Sequence, residues 1–188
     1  MKKKKAVVLF GSPHKQGYTS KLLKYFLKFL SNFSVETINA YDLEIKACVG
    51  CWKCKDSGEC IFRDMDRIRE LLIECDLVII AFPVYNASYP APLKAILDRL
   101  QIFYFSRHKT DILKNKAAVI LFSQGAKNID YEPVLFAQIN PIIKILNASV
   151  AGSLGLKGTD DPNLDIDKFY IKSKIKIENI INNLYNIS

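Results

Sequence analysis

Short apolar runs alternate along this chain with stretches of helical periodicity, and this alternation restricts its architecture more than any other pattern. Three runs, Ala6–Phe10, Asp76–Phe82 and Lys116–Phe122, are apolar at nearly every position instead of at every second one. Runs of this kind are typical of strands that are buried on both faces, as in a parallel sheet. Ser34–Ala40 and Ala148–Leu156 are weaker runs that complete a prediction of five strands.

Amphipathic segments connect the predicted strands. The first begins at Thr19 or Ser20, either of which is a favourable N-cap, and its apolar residues recur at the spacing of a helix. Further helices are predicted at residues 65–75, Ala91–Leu100, Glu132–Leu146 and Ile166–Leu184. Pro141 is expected to bend or split the fourth of these five helices. Strand and helix repeated in this order predict an α/β fold, with a parallel sheet covered by helices on both faces.

The length and charge of the chain limit its class. The 188 residues suit one domain, which we expect to span residues 1–188 with a cysteine-rich loop at residues 46–63. The formal net charge of +8 is accounted for by eight lysines near the chain ends. They are Lys2, Lys3, Lys4, Lys5, Lys168, Lys172, Lys174 and Lys176. The remainder is close to neutral and most basic residues are lysine, so the pattern indicates solvated lysine patches and no nucleic-acid partner.

Membrane insertion is not expected from this sequence. No apolar run approaches the roughly 20 residues of a membrane span. The apolar stretch that follows the N-terminal lysines, residues 6–10, is too short for a secretory signal peptide. We therefore expect a cytoplasmic protein that has no membrane contact.

The loop after the first strand is a candidate phosphate site, because open α/β sheets bind ligands beyond the carboxyl ends of their strands. This first loop, Gly11–Ser20, opens the first helix, where free backbone N–H groups and the helix dipole favour an anion. Hydroxyl donors at Ser12, Thr19 and Ser20 favour a phosphate, although an ordinary polar turn explains the same residues. The loop matches neither the Gly-x-x-x-x-Gly-Lys-Ser/Thr nor the Gly-x-Gly-x-x-Gly pattern, which disfavours both of those nucleotide-binding folds.

Two further loops follow the third and fourth strands. The second loop, Pro83–Pro90, combines backbone amides with Tyr85 and Asn86, which suit a flat ring that has hydrogen-bonding edges. The third loop, Ser123–Ala126, contains a glycine and is expected to bring its backbone to the other side of that ring. Each loop is weak evidence alone, but three such loops at the expected strand ends favour one shared ligand.

Four of the five cysteines lie within thirteen residues, in the spacing Cys-x2-Cys-x2-Cys-x5-Cys. They are Cys48, Cys51, Cys54 and Cys60. In a reducing compartment such a group is more typical of a metal or redox site than of disulfides. An iron–sulfur cluster, a zinc ion and a loop without metal all remain open. Cys75 is different, because it falls on the apolar face of the second helix and is predicted to be a core residue.

The order and spacing of four motifs resemble those of the flavodoxin-like NAD(P)H-dependent FMN reductases, and of the iron–sulfur flavoproteins among them. The motifs are Gly-Ser-Pro-His-Lys-Gln-Gly-Tyr-Thr at 11–19, the cysteine spacing followed by Arg63-Asp64-Met65, Pro83-Val84-Tyr85, and Leu93-Lys94 with Asp98-Arg99. The resemblance runs from the first strand to the third loop. It implies a flavodoxin-like sheet of order 2-1-3-4-5, non-covalent FMN, NAD(P)H as co-substrate and a [4Fe–4S] cluster on the four cysteines.

The resemblance also implies roles for individual residues. The FMN phosphate would be held by Ser12, Gly17, Tyr18, Thr19 and Ser20. The isoalloxazine ring would lie against Pro83, Val84, Tyr85 and Asn86, with Ser123, Gln124 and Gly125 beside it. His14 stands where the family usually has Arg, and Tyr18 where it often has Asn. Both are therefore expected at the phosphate site, with altered contacts.

Two functions follow from these residues, and a third lies outside catalysis. No acid pair or Ser-His-Asp arrangement emerges, so no catalytic side chain is predicted and the chemistry would occur at flavin N5. The first hypothesis is an NAD(P)H-dependent reductase of a flavin, quinone or similar small-molecule acceptor. The alternative is an electron carrier that uses the four-cysteine cluster and a ferredoxin-like partner. The non-enzyme alternative is a metal- or nucleic-acid-binding module.

The segment Leu100–Phe105 is aromatic-rich for a connection between elements. It is either part of the core or a subunit interface that closes over the flavin. The family resemblance implies a homodimer or homotetramer, for which Phe103 and Phe105 are the expected contacts.

Overall fold

The computed structural model describes residues 3–106 and 112–187 of the chain. The strands are β1 (Lys4–Phe10), β2 (Phe33–Asn39), β3 (Leu77–Pro83), β4 (Lys116–Gln124) and β5 (Ala148–Lys157). The α-helices are α1 (Tyr18–Leu27), α2 (Lys53–Ser57), α3 (Asp66–Glu74), α4 (Ala91–Arg99), α5 (Gln101–Ser106), α6 (Glu132–Ile145) and α7 (Ile166–Ile187). A short 3-10 helix, Ala40–Asp42, follows β2.

The strands form one parallel sheet in the order β2-β1-β3-β4-β5. This finding confirms the predicted α/β fold and the flavodoxin-like strand order. The chain runs from β1 outwards to β2 and then returns to β3 on the other side of β1. The carboxyl ends of β1 and β3 therefore flank the point where the strand order reverses, which is where open α/β sheets bind their ligands.

The sheet has a hydrophobic core on each face. Helices α3, α4 and α6 cover one face, where Leu72, Ile96 and Ile139 are fully enclosed or nearly so. Helices α1 and α7 cover the other face with residues such as Phe26 and Ile177. Successive residues of each central strand point to opposite cores, which explains why the strands are continuous apolar runs. Cys75 is completely buried, as predicted.

Several elements differ from the sequence expectations. Helix α6 is not split at Pro141, because this residue is exposed and Leu135 and Ile143 hold both halves of the helix against the sheet. Strand β4 continues through Ser123 and Gln124, since both pair with β5, so the loop begins later than predicted. No helix in residues 3–106 or 112–187 is long and apolar enough to cross a membrane.

The aromatic segment after α4, which was expected to connect two elements, forms a short helix of its own. Helix α5 buries Ile102 and Phe103 in the core, whereas Tyr104 is 45% exposed. Phe103 is therefore wrong as an expected interface contact, because it packs inside its own chain. Helix α5 also supplies Phe105, whose ring lies edge-on to Trp52 with the centroids 5.8 Å apart.

Candidate functional site

The three loops at the carboxyl ends of β1, β3 and β4 are tied to neighbouring strands where they begin. The backbone N–H of Gly11 donates to the carbonyl of Ala81 at 2.8 Å, which links the first loop to β3. The N–H of Val84 donates to the carbonyl of Ser123 at 2.7 Å, which links the second loop to β4. These hydrogen bonds place the beginnings of the loops side by side along one edge of the sheet.

A buried hydroxyl pair joins the first loop to the third. Thr19 Oγ1 and Ser123 Oγ lie 2.7 Å apart, although the two residues are separated by 104 positions in the sequence. The exposed fractions of these residues are only 2% and 5%. The start of α1 and the end of β4 therefore form one continuous wall, and it includes two residues that the sequence assigned to the flavin site.

The start of α1 offers backbone donors to an anion. Gly17 is its N-cap residue, and among the described residues no side chain caps it; the first turn contains no acidic residue. The N–H groups at the start of a helix lack intrahelical acceptors and carry a partial positive charge, so this end favours a phosphate. A Cβ on Gly17 would lie 2.9 Å from the Cβ of His14, so the tight turn before the helix requires glycine here.

The hydroxyl groups of the first loop differ in whether they are already used in hydrogen bonds within the loop. Ser12 Oγ accepts from the backbone N–H of His14 at 3.2 Å and leaves its own hydroxyl hydrogen for another acceptor. Ser20 donates to the carbonyl of Lys15 at 2.7 Å, so its hydroxyl hydrogen is used inside the loop. Tyr18 is half-buried and its ring lies under the ammonium group of Lys21.

The second loop contains a tight backbone turn. Tyr85 and Ser88 exchange two backbone hydrogen bonds of 2.8 and 2.9 Å, and Asn86 and Ala87 between them have φ angles of +50° and +58°. Both central residues are left-handed, which is the geometry of a type I′ turn. Gln138 of α6 supports this turn, because its side chain donates to the Ala87 carbonyl at 3.3 Å.

Pro83 is the last residue of β3 and Val84 connects it to this turn; both are half-buried, whereas Asn86 is exposed. Tyr85 is 43% exposed. Tyr41, which follows β2, is near it: burial, and then the proximity of Tyr85, raise the pKa of the Tyr41 phenol. Tyr41 is a neighbour of the predicted ring site that carries no motif in the sequence.

The third loop is packed against the turn that follows β5. Gln124 is almost completely buried and donates to the carbonyls of Ala126 and Ile129 at 2.7 and 2.6 Å. A Cβ on Gly125 would overlap the carboxylate of Asp160. Nothing local in the sequence around Asp160 indicates that its side chain approaches Gly125.

The cysteine segment, residues 46–63, brings its four thiols around one small cavity. Cys48, Cys51, Cys54 and Cys60 all line a cavity of about 130 Å³, together with the rings of Trp52, Phe62 and Phe105. Among the described residues the five cysteines are free thiols. In the same described ranges, no group of three or more His, Cys, Asp or Glu side chains is arranged to hold a metal ion.

The electrostatics of the segment show that its thiols are neighbours. Burial raises the pKa of the Cys54 thiol, and the nearby Cys60, Cys48 and Cys51 raise it further, although a backbone hydrogen bond opposes them. Four thiolates in such proximity repel one another unless a cation or a cluster compensates their charge. Cys48 and Cys51 are exposed, whereas Cys54 and Cys60 are half-buried.

An ion pair anchors the cysteine segment to α4. Arg99 contacts the carboxylate of Asp64, and the side chains are 2% and 23% exposed. Burial alone would raise the pKa of Asp64, but hydrogen bonds from the backbone N–H of Lys46 and from Arg99 lower it below the ordinary value. The sequence showed these two residues only as parts of separate motifs, and it did not indicate that they meet.

Comparison with known proteins identifies the family. The model of the NADPH-dependent FMN reductase family matches residues 4–153. The chain belongs to this family. An iron–sulfur flavoprotein of Archaeoglobus fulgidus is 43% identical over 99 residues, which cover 51% of this chain and 45% of the relative. An iron–sulfur flavoprotein of Methanocaldococcus jannaschii is 30% identical over 154 residues, with coverage of 77% and 76%.

The relatives support the iron–sulfur flavoprotein branch of the FMN reductase family, as the sequence motifs indicated. The match covers 45% of the length of the Archaeoglobus fulgidus relative, and 62% and 58% of two further iron–sulfur flavoproteins, from Methanosarcina thermophila and Methanocaldococcus jannaschii. An NAD(P)H:quinone oxidoreductase of Methanothermobacter marburgensis shares the fold, with a TM-score of 0.68 and 18% sequence identity. That likeness covers 97% of this chain and 94% of the other.

Proposed function

We propose that this chain is an FMN-dependent oxidoreductase that takes reducing equivalents from NAD(P)H and passes them to a flavin, quinone or similar small acceptor. The observation that carries this proposal is the convergence of the three loops at one sheet edge, fixed by the Thr19–Ser123 hydroxyl pair. Membership of the FMN reductase family supports the same activity.

The first loop fits the phosphate of FMN. The uncapped start of α1 supplies backbone N–H donors, and the hydroxyl of Ser12 retains a hydrogen to donate. Gly17 keeps the turn compact, and His14 and Tyr18 complete its surface. Thr19 can donate to the phosphate while it accepts from Ser123, since either hydroxyl of that pair can be the donor. Ser20 contributes through its backbone, because its side chain holds Lys15.

The second and third loops would bind the ring of FMN. Pro83 and Val84 supply apolar contact, and Tyr85 and Asn86 supply a ring face and an amide. Ser123, Gln124 and Gly125 would form the neighbouring wall, and the close approach of Asp160 to Gly125 keeps that backbone in place. When bound, FMN supplies hydride and one-electron transfer, so these residues need only bind and orient it and limit the access of water.

Spectroscopy and turnover test this function directly. Purified protein should be yellow, retain FMN, and oxidise NADH or NADPH when menadione or free flavin is the acceptor. Absence of flavin binding in a folded sample would overturn the proposal. Lack of turnover by fully FMN-loaded protein with both nicotinamides would exclude the reductase activity alone.

The cysteine segment supports a second candidate function, which is electron transfer through a [4Fe–4S] cluster. Four cysteines that line one cavity provide the type and number of ligands that such a cluster needs. The cluster supplies one-electron transfer when bound, and the four cysteines would hold it. Anaerobically purified protein should then contain about four irons per chain and donate electrons to a ferredoxin-like partner; iron-free protein after anaerobic reconstitution would exclude this role.

We further propose that the chain forms a homodimer or homotetramer in the cytoplasm, where its exposed thiols would stay reduced. The segment that holds Tyr104 and Phe105 remains the candidate interface, because Tyr104 is exposed and next to the cysteine segment. Tyr104→Ser is the better test than a change at the buried Phe103. Sedimentation should show a smaller species, and an unchanged profile would contradict this interface.

A further inference from the structure

Arg99 occupies an unusual position for a charged residue in the last turn of a surface helix. Its side chain is 2% exposed, and it lines the same cavity as the four cysteines. Buried guanidinium groups are costly unless their charge and their donors are matched. The partners of Arg99 therefore indicate what this residue does for the fold.

Among the described residues, the hydrogen-bond acceptors of Arg99 belong to the two ends of the cysteine segment or to the residue just after it. One terminal nitrogen, Nη1, donates to the Asp64 carboxylate and to the carbonyl of Lys46 at 3.2 Å. The other, Nη2, donates to the carbonyl of Phe62 at 2.9 Å and to the sulfur of Cys60 at 3.4 Å. One planar group thus closes the segment by holding its beginning and its end together.

The environment of Arg99 also has an unused donor. The Nε–H group is buried and has no acceptor among the described residues. Asp64 balances the positive charge from outside the cavity, and no acidic residue is among the described residues that line it. An anionic group held by four thiolates in this cavity would supply both negative charge and acceptors.

We propose that Arg99 is the positioning residue of the four-cysteine site: it orders the segment around the cavity and donates to the sulfur of Cys60. This inference rests on the second candidate function, because it takes the ligand to be an iron–sulfur cluster. A charged donor to a ligating sulfur stabilises the more negative, reduced state of a cluster, so Arg99 raises its reduction potential. Arg99 acts through Cys60 and takes no part in electron transfer itself.

The test uses the FMN-loaded full chain with the substitutions Arg99→Gln and Arg99→Lys. Arg67→Gln is the matched control, since Arg67 is exposed, pairs with Glu36 and lies in α3, just outside the segment. After anaerobic reconstitution, iron per chain and the reduction potential of the bound cluster are measured. At the midpoint potential of the unchanged protein, the ratio of reduced to oxidised cluster should fall about tenfold in Arg99→Gln, which corresponds to ~59 mV for one electron.

Arg99→Lys separates positioning from simple charge. Lysine keeps the positive charge beside Asp64 but lacks the planar fork that reaches four acceptors. Compared with Arg99→Gln, we expect Arg99→Lys to bind more iron. We expect its cluster to have a reduction potential almost as low as that of Arg99→Gln. Suppose that the Arg99 variants bind a cluster and that its reduction potential equals that of the Arg67→Gln control. The contact with the Cys60 sulfur then has no effect on the cluster, and the proposal is overturned.

A measurement without iron distinguishes failure of this inference from failure of the cluster function. Chymotrypsin should cleave after Trp52, which is 62% exposed, at least about tenfold faster in iron-free Arg99→Gln than in the Arg67→Gln control. If the unchanged protein takes up no iron but this difference is present, the cluster function fails and the positioning role of Arg99 stands. Equal cleavage rates would overturn the positioning role whether or not iron is bound.

Discussion

The two candidate sites of this molecule are held in place by different means. The flavin loops start at adjacent strand ends, and backbone hydrogen bonds such as Gly11 to Ala81 link each loop to the next strand. The cysteine segment has one short helix, carries two exposed thiols and is tied to the body by the side chain of Arg99. The sheet therefore builds the first site, whereas side-chain contacts, with the Arg99–Asp64 ion pair among them, position the second.

This difference teaches where each site is vulnerable. Backbone contacts between strands survive most side-chain changes. A single substitution in the flavin loops should therefore remove one contact to the flavin and leave the loops in place. A segment held by a few side chains should lose much of its order when the most buried of them, Arg99, changes. A bound cluster would add to the order of the segment by mass action, since ligands that bind only the folded state stabilise it.

The largest effect is expected from Arg99→Gln on stability. Removing one partner of a buried pair leaves the other charge uncompensated, so the free energy of unfolding should fall by about 3 kcal/mol. Urea unfolding of the iron-free protein measures this change. Arg67→Gln should change stability by no more than ~0.5 kcal/mol. Equal losses in the two variants would show that the cysteine segment has other anchors.

The second-largest effect is expected from Thr19→Val, which should lower the affinity of the protein for FMN. This change removes a buried hydroxyl that pairs with Ser123 and that is proposed to donate to the phosphate. Binding should weaken roughly 10- to 100-fold, the range for a hydrogen bond to a charged group, as measured by quenching of flavin fluorescence. The affinity for riboflavin, which has no phosphate, should fall much less in this variant.

Thr37→Val is the control for the Thr19 substitution, because Thr37 is exposed in β2. Iron content should be unchanged in Thr19→Val if the two sites are supported independently. A loss of iron that accompanies the loss of FMN affinity would show that the flavin loops and the cysteine segment are coupled and are not supported independently.

A smaller effect is expected from pH on the anchor of the cysteine segment. The pKa of Asp64 is lower in the folded protein than the ordinary value of 3.8. The ionised carboxylate therefore stabilises the fold above that value, and the stabilisation is lost as pH falls through the folded pKa.

Asp64→Asn measures this contribution. It should lower the free energy of unfolding by roughly 1–2 kcal/mol near neutral pH, because a charge-assisted hydrogen bond to Arg99 becomes a neutral one. The difference between the two proteins should shrink below pH 3.8 and disappear once Asp64 is protonated in both folded and unfolded states. A difference that stays constant to low pH would contradict the ion pair as its source.

The smallest expected effect lies in the second loop, at Ala87→Gly. Ala87 has a φ of +58°, where a residue with a Cβ is strained by about 1 kcal/mol. Glycine removes this strain but gains freedom in the unfolded chain, so stability should rise by only ~0.5 kcal/mol. Ala95→Gly inside α4 should instead lower stability by about 1 kcal/mol. A loss of stability in both variants would contradict the strained turn.

The sequence predicted the scaffold of the sites well, because sheet strands and helices leave periodic signals. The continuous apolar runs indicated a doubly covered parallel sheet, and that fold places the three loops at one edge. The order β2-β1-β3-β4-β5 was implied by the family motifs, since composition and periodicity do not specify which strands are neighbours. The cysteine spacing predicted four candidate ligands, and these four cysteines line one cavity, although their role as ligands stays a prediction.

Contacts between distant side chains could not be predicted. Arg99 and Asp64 are 35 positions apart, and their meeting depends on the path of the chain between them. The same applies to Asp160, which limits the space at Gly125. Phe103 was misassigned as an interface contact for a related reason, because a short helix such as α5 has too few residues to show which face is buried.

The Thr19–Ser123 hydroxyl pair has a consequence for the order in which this protein matures. The bond closes a loop of 104 positions, and Ser123 is fixed only when β4 has paired with β3. A nascent chain that ends before β4 would display the phosphate loop without its opposite wall. Since long-range parallel pairing is slow to form, capture of a flavin at this edge would come late in folding and would report that four-fifths of the sheet is assembled.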